Sequence, residues 1–390
     1  MKNQTVASLL LVHALASSHL FADGGSLTPP PGAPAPTMKS LDQVEARTPL
    51  VEGEPGVTID PGTNTITISV PGSYYLTGNH TVSGSAGISI NAEGVTLDLN
   101  GYTVSSTADP ASGQGVMIVG SDTTIFNGHI RGGVTYDGQA EGNQFTGSGF
   151  ATGLSSASLD NILVHDLSVK GCSVDGIDLA RSQARSCVVR SCTVNVAGGV
   201  GIEANVVSDC SVATTGGESI HAITVSNCQA YSVGASGIAG YNIDNSSGET
   251  IDTGAQSHGI RAFFSVANST GSSEGGSGIL AGLAPGEGGV ATGCAGISHG
   301  EHSSSHGISA DYAINGCSGR SSSGDGLRAP LVSNSYGYSD GDDGIEASQV
   351  NYSYGRRSAG MLGKNAIEAN HAIGCTALGS TDITNKYLMP

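Results

Sequence analysis

Residues 201–240 read GIEANVVSDCSVATTGGESIHAITVSNCQAYSVGASGIAG. A motif of the form Gly-Ile-x-Ala starts at Gly201, returns as Ser-Ile-His-Ala at Ser219 and again as Gly-Ile-Ala-Gly at Gly237, eighteen residues apart each time. A second register runs inside each unit: Asp209-Cys210 and Asn227-Cys228 fall at the same distance after their Gly-Ile starts, and Asn245-Ser246 follows suit. Two registers that hold together at a short period are the mark of a stacked repeat.

Working outward, the same start appears at Gly176, Gly259, Gly278, Gly307, Gly326, Gly344 and Ala366, and less regularly at Gly87, Gly115 and Gly153. The small residue of the second register recurs as Cys192, Ser269, Cys294, Cys317, Ser335, Ser353 and Cys375. Alternating apolar and polar residues, as in Val95-Thr-Leu97-Asp-Leu99, argue for short strands with one face inward. Gly, Asn and Asp punctuate the corners, where positive φ is needed. One unit cannot bury its own face, so units must stack and pair at a spacing of about 4.8 Å. Thirteen starts from Gly87 would give a rod of about 60 Å at that spacing. Leucine-rich repeats need an LxxLxLxxN pattern that is missing here, and propeller blades need about 40 residues each. The pattern predicts an all-β parallel β-helix, a solenoid of roughly 12–14 turns, over residues 51–390.

Composition agrees. Gly accounts for 60 of 390 residues, Trp is absent, and the formal charge is −18. So much Gly disfavours helices, since each costs about 1 kcal/mol in a helix interior. Fifteen Lys and Arg against 33 Asp and Glu leave no basic face for nucleic acid. Met1 to Ala22, with Lys2 ahead of the apolar run Val6–Ala16, reads as a secretory signal too short to span a bilayer. Residues 23–50 read as a Pro- and Gly-rich linker with one short helix over Met38–Leu50, capped by Ser40 and Gln43 and stopped by Pro49. No later stretch is long and apolar enough for a transmembrane segment. The expected location is secreted, periplasmic or cell-surface.

The segment PGSYYLTGNHTV (71–82) followed by GISINAEGVTLDLNGYTV (87–104), with the lead-in APTMKSLDQVEARTPL (35–50), resembles exported bacterial right-handed parallel β-helix proteins of the pectin-lyase-like superfamily. That resemblance implies a right-handed, single-stranded parallel β-helix. Members of this superfamily include polysaccharide lyases, hydrolases, epimerases and adhesins. Of the hydrolase signatures only an Asp342-Asp343 pair is present, so the resemblance assigns no catalytic residues here.

Eight cysteines in an exported chain invite a disulfide reading. Stacked neighbours such as Cys192, Cys210 and Cys228 are set about 4.8 Å apart with parallel Cα–Cβ vectors, poor geometry for a bridge. Small buried thiols alternating with Ser are the expectation; Cys172 and Cys187, off the ladder, are the pair to bond if any bridge forms.

If Ile and Ala of Gly-Ile-x-Ala point inward, x points outward. Asp178, Glu203 and His221 then stand on three successive turns and form the candidate catalytic set: one carboxyl as acid or base, its partner holding charge, and His221 orienting substrate or moving a proton. Arg328, Glu346 and Glu368 make a second column, which reads equally as a surface salt-bridge ladder. His299, Glu301, His302 and His306 offer imidazole and carboxylate groups for a transition metal. Asp325, Asp340, Asp342 and Asp343 offer oxygen ligands for calcium. Tyr336, Tyr338, Tyr352 and Tyr354 repeat across neighbouring units, either as flat faces for sugar rings or as stacking that covers the sheet. The expected partner is an extracellular polysaccharide or cell-surface glycan. Binding is the leading expectation, with a polysaccharide lyase or glycoside hydrolase, or a structural envelope protein, as alternatives. The acidic charge favours a neutral glycan.

Overall fold

Inward Ile residues at one site per turn decide the architecture. The computed structural model describes residues 47–84, 86–138, 145–156, 160–179, 186–282, 288–358, 364–378 and 383–384. Ile66 pairs with Ile88, and the parallel register then climbs through Val116, Leu154, Ile177, Ile202, Ile220, Ile238, Ile260, Ile279, Ile308, Leu327, Ile345 and Ile367 to Ile383, fourteen successive pairings. These strands form the first wall of a β-solenoid. Each residue from Ile66 to Ile367 in the column is buried, and full burial of such a side chain is worth about 1.5–3 kcal/mol.

Every turn continues into a second and a third wall. Strand Ile202–Ser208 bends between Ala204 and Val206, so that its second half stacks on Thr224, Val225 and Ser226. A corner residue in the left-handed region follows: Asp209 (φ 55°), Asn227 (φ 55°), Asn245 (φ 47°) and Asn268 (φ 49°). Asn and Asp tolerate that conformation best among residues with a Cβ. The third wall then stacks Val194 on Val212 and Val212 on Ala230. A 37-stranded sheet results, parallel apart from a hairpin of Val57–Ile59 against Ile66–Ile68 at its beginning. A separate pair, Thr135–Tyr136 with Phe145–Thr146, lies outside it.

The export signal expected over residues 1–22, and most of the linker and helix expected over 23–50, lie outside the described residues. Where residues 47–50 are described, they join the solenoid. Thr48–Pro49 pairs with Tyr74 and Tyr75, and Arg47 binds Asp98 at 2.7 Å. Among the described residues no helix is long and apolar enough to cross a membrane.

The Cys/Ser register is a hydrogen-bonded ladder. The backbone N–H of Cys192 donates to Cys210 Sγ (3.4 Å), that of Cys228 to Ser246 Oγ (3.1 Å), and that of Ser246 to Ser269 Oγ (3.1 Å). Each thiol or hydroxyl donates in turn to the carbonyl two residues before it, as Cys210 does to Ser208 and Ser246 to Asp244. A small side chain able both to accept and to donate is therefore required, and only Cys, Ser and Thr supply one. Cys294, Cys317, Ser335 and Ser353 repeat the pattern.

None of the eight cysteines forms a disulfide, as the ladder geometry led us to expect, and Cys172 and Cys187 do not bridge either. The two sit at different corners. Cys172 ends a third-wall strand opposite Ala197, whereas Cys187 opens a second-wall strand and its N–H donates to Asn205 Oδ1. Denatured, unreduced protein is expected to titrate eight thiols with a thiol reagent. Native protein should react at Cys375 first, because the other seven are buried. Two or fewer thiols in the denatured sample would mean the ladder is bridged.

The solenoid narrows along its length. In the first half the third wall carries Val169, Val194 and Val212, each against a Gly that opens a first-wall strand: a Cβ on Gly153, Gly176 or Gly201 would stand 2.3–2.4 Å from the Val Cγ1. In the second half Gly248, Gly271, Gly296, Gly319, Gly337 and Gly355 replace them, and a Cβ there would stand 2.1–2.2 Å from a first-wall carbonyl oxygen. The two backbones touch where side chains had kept them apart.

Candidate functional site

The outward x position of the first wall is a continuous column. Asp178 pairs with Glu203 and Glu203 with His221, and Ala239, Arg261 and Leu280 continue it. The candidate set is thus brought onto consecutive turns, each member half-buried. It does not share one cavity. Asp178 lines a recess of about 340 Å³ with Ser155, Ser156 and Met117, whereas Glu203 and His221 do not. Asp175, just before the motif, accepts from the Val200 N–H at 2.7 Å, and burial, with Asp178 beside it, pushes its carboxyl above the usual range.

Sequence reasoning missed the neighbours of this column. Arg261 reaches back over Ala239's turn to Glu218 at 3.1 Å. Two residues beyond the x position, Ile223, Tyr241 and Phe263, with Phe264 next to Phe263, line the corner of three successive turns. The Tyr241 ring stacks on Phe263 at 4.5 Å and meets Phe264 at 5.5 Å.

The second column, Arg328, Glu346 and Glu368, is also in register. With Ser309, Asp311 and Asn370 it lines a groove of about 450 Å³. Beneath it runs a second ladder, formed by the residue preceding each Gly-Ile. The Ser277 N–H donates to His258 Nδ1 (2.9 Å), the Asp325 N–H to His306 Nδ1 (3.0 Å), and the Asp343 N–H to Asp325 Oδ1 (3.2 Å). His306 is therefore an inward, buried rung, not a partner of the exposed His299, Glu301 and His302.

Although His306 Nδ1 lies 3.3 Å from Asp325 Oδ2, the two are not an ion pair. Nδ1 already accepts the Asp325 N–H, and burial, with Arg328 adding to it, pushes His306 down to about 4. Burial and the neighbouring carboxylates, Glu346 foremost, push Asp325 up to about 9, and burial pushes Asp343 up to about 6. Both members of the pair are neutral at pH 7.

Of the four acids offered for calcium, Asp325, Asp342 and Asp343 bring carboxylate oxygens within 4.8 Å of one another. Their charge is met within the chain, by a proton on Asp325 and by Lys364 on Asp342. Asp340 lies apart. It accepts from Tyr338 Oη (2.5 Å) and faces Arg320 at 3.5 Å.

The tyrosines come together on the third wall, except Tyr352, which takes a left-handed corner (φ 47°) and points to solvent. Tyr336 stacks on Tyr354 at 5.4 Å. In the next outward column Ile297, Arg320, Tyr338, Arg356 and Leu378 follow one another turn by turn. The guanidinium carbons of Arg320 and Arg356 lie 5.2 Å and 5.5 Å from the Tyr338 ring centre. These side chains line a shallow depression of about 460 Å³. Aromatic faces flanked by guanidinium groups can stack on a flat apolar face and hydrogen-bond its polar edge.

Comparison of the chain with protein-family models, curated proteins and solved structures found no match.

Proposed function

We propose that this protein binds an extracellular polysaccharide along the outer faces of its solenoid, and that the Tyr336–Tyr338–Tyr354 platform receives its sugar rings. The observation that carries this is the platform itself: stacked tyrosines and two arginines gathered on the third wall, in a chain with only ten arginines. Core packing does not require them, because the inward positions between them are glycines. The proposal takes the solenoid as a right-handed β-helix of the pectin-lyase-like kind, exported by residues 1–22 to the cell surface, the periplasm or the medium. The formal charge of −18 favours an uncharged glycan.

A second reading, an enzyme acting on the same polymer, is favoured by the pairing of Asp178 with Glu203 and of Glu203 with His221. One set of preparations addresses both. Tyr336→Ala with Tyr338→Ala should weaken glycan binding about tenfold or more without lowering the melting temperature. If new reducing or unsaturated ends appear, Glu203→Gln should cut their rate about 10²-fold. A wild type that binds nothing in a broad glycan screen leaves the structural envelope reading.

A further inference from the structure

The corner beside the Asp178–Glu203–His221 column carries an irregularity with no role in packing. From Ile238 to Gly240 the turn pairs one-to-one with Ile260 to Ala262, and pairing resumes at Asn242 with Ser265. Phe263 and Phe264 therefore stand opposite Tyr241 alone, a bulge of one residue. Bulges of this kind re-aim side chains at the margins of functional sites. The turn below is drawn in at the same place: a Cβ on Gly240 would lie 2.8 Å from the Ala222 carbonyl oxygen. The inserted residue does not go inward. Phe264 is 45% exposed and Ile223 40%. Three aromatic rings are thus gathered in contact at solvent, where their exposure is unfavourable unless something covers them.

The surroundings say what fits. Tyr241 lies two residues beyond Ala239, at the corner where the first wall bends into the second. Ala239 is the small member of its column, between His221 and Arg261. It is itself buried, so the surface beside the aromatic shelf is made by the Arg261–Glu218 pair and by His221. That pair is internally balanced in charge, so this surface offers no net cation to an anionic ligand. A ring with an apolar C–H face and hydroxyl edges matches this arrangement. The hydroxyls meet Glu218, Arg261 and His221, and the C–H face meets Tyr241 and Phe263.

We infer that Tyr241, Phe263 and Phe264 form a stacking subsite for a neutral pyranose ring, separate from the tyrosine platform of the third wall and next to the Glu203–His221 column. This rests on the glycan-binding reading and adds a location and a sugar class to it.

The test uses full-length protein and three neutral hexasaccharides, a β-1,4-glucan, a β-1,4-mannan and an α-1,4-glucan, titrated by calorimetry. Wild type is compared with a shelf variant (Tyr241→Ala with Phe263→Ala) and a platform variant (Tyr336→Ala with Tyr338→Ala). The shelf variant should lose one binding event, or about tenfold in affinity, for at least one sugar, while Tyr241→Phe retains it. A shelf variant that binds all three as wild type does overturns the subsite and leaves the platform reading standing. Should the double variant not fold, the ring protons of Tyr241 in wild type are followed through the same titrations. Rings that do not shift while the platform tyrosines do overturn the subsite alone, and no binding of any sugar overturns both.

Discussion

Ile260→Asp is expected to yield no folded protein. Ile260 is fully buried at mid-column, with Ile238 on the turn before it and Ile279 on the turn after. Replacing it forfeits about 1.5–3 kcal/mol of apolar burial. It also buries a carboxyl group in the core, a further cost of about 2–7 kcal/mol even in the neutral form where no partner is offered. Together these rival the whole stability of an ordinary domain, about 5–15 kcal/mol. A solenoid passes stability only between neighbouring turns, so the break uncouples the halves on either side. Soluble yield, far-ultraviolet circular dichroism and melting would record the loss. Ile260→Val, which removes one methyl, should cost about 0.5–1.5 kcal/mol and fold normally. Normal yield and melting of the Asp variant would show that the inward register is wrong.

Alkali should weaken the second half of the solenoid, and Asp325→Asn should remove much of that weakness. Asp325 is 1% exposed. His306 faces it from the turn before, Asp342, Asp343 and Glu346 from the turn after, and Lys364 and Glu368 from the turn beyond, with Arg328 on its own turn. Its folded pKa, pushed up to about 9, stands above the unfolded value, and so does that of Asp343 at about 6. The protonated carboxyl is the form the fold prefers. The stability it brings is full below the unfolded pKa of about 3.9, declines as pH rises through the Asp343 value, and is lost through the Asp325 value. Melting temperatures measured between about pH 7 and about pH 10, above the range in which the buried His306 gains stability with rising pH, should fall with rising pH. Asn keeps an acceptor for the Asp343 N–H and cannot ionise, so its melting curve should be flatter and should lie above wild type at the alkaline end. Parallel pH profiles for the two proteins would show that Asp325 is ionised in the fold throughout.

Much of this molecule could be read from sequence because a solenoid repeats its demands. The inward Ile must recur once per turn, so the Gly-Ile starts revealed the first wall, and the x column followed by alternation, placing Asp178, Glu203 and His221 correctly in register. What escaped was set by local departures from the repeat. The bulge at Phe263 and Phe264 hid in the step of ten residues from Gly259 to Ser269, against nine from Gly237 to Ser246, which looked like ordinary scatter in the unit length. His306 looked like a companion of His302 in a loop. Its place immediately before Gly307, equivalent to His258 before Gly259, was the available signal that it belonged to an inward ladder. Tyr352 shared a period with Tyr336 and Tyr354 yet fell at the corner position that Asn334 and Asn268 occupy. The Cys/Ser alternation was legible as smallness, whereas its need for an atom that both accepts and donates emerged only from the hydrogen bonds.

The narrowing of the solenoid bears on how such a chain can grow by duplication. An added turn must present a Cys or Ser to the N–H of the turn before it and, at the opposite corner, find an acceptor for its own N–H. Most existing turns already carry both. The third wall is more selective. A turn with Val at that site, copied into the glycine half, would drive its methyl groups into a carbonyl, and a glycine turn moved into the valine half would leave a hole. Tandem copying is therefore neutral only within a half, and exchange between the halves is barred by volume. The junction near Ala230, whose side chain is intermediate in size between the valines before it and the glycines after it, marks the boundary between the two sets of interchangeable turns.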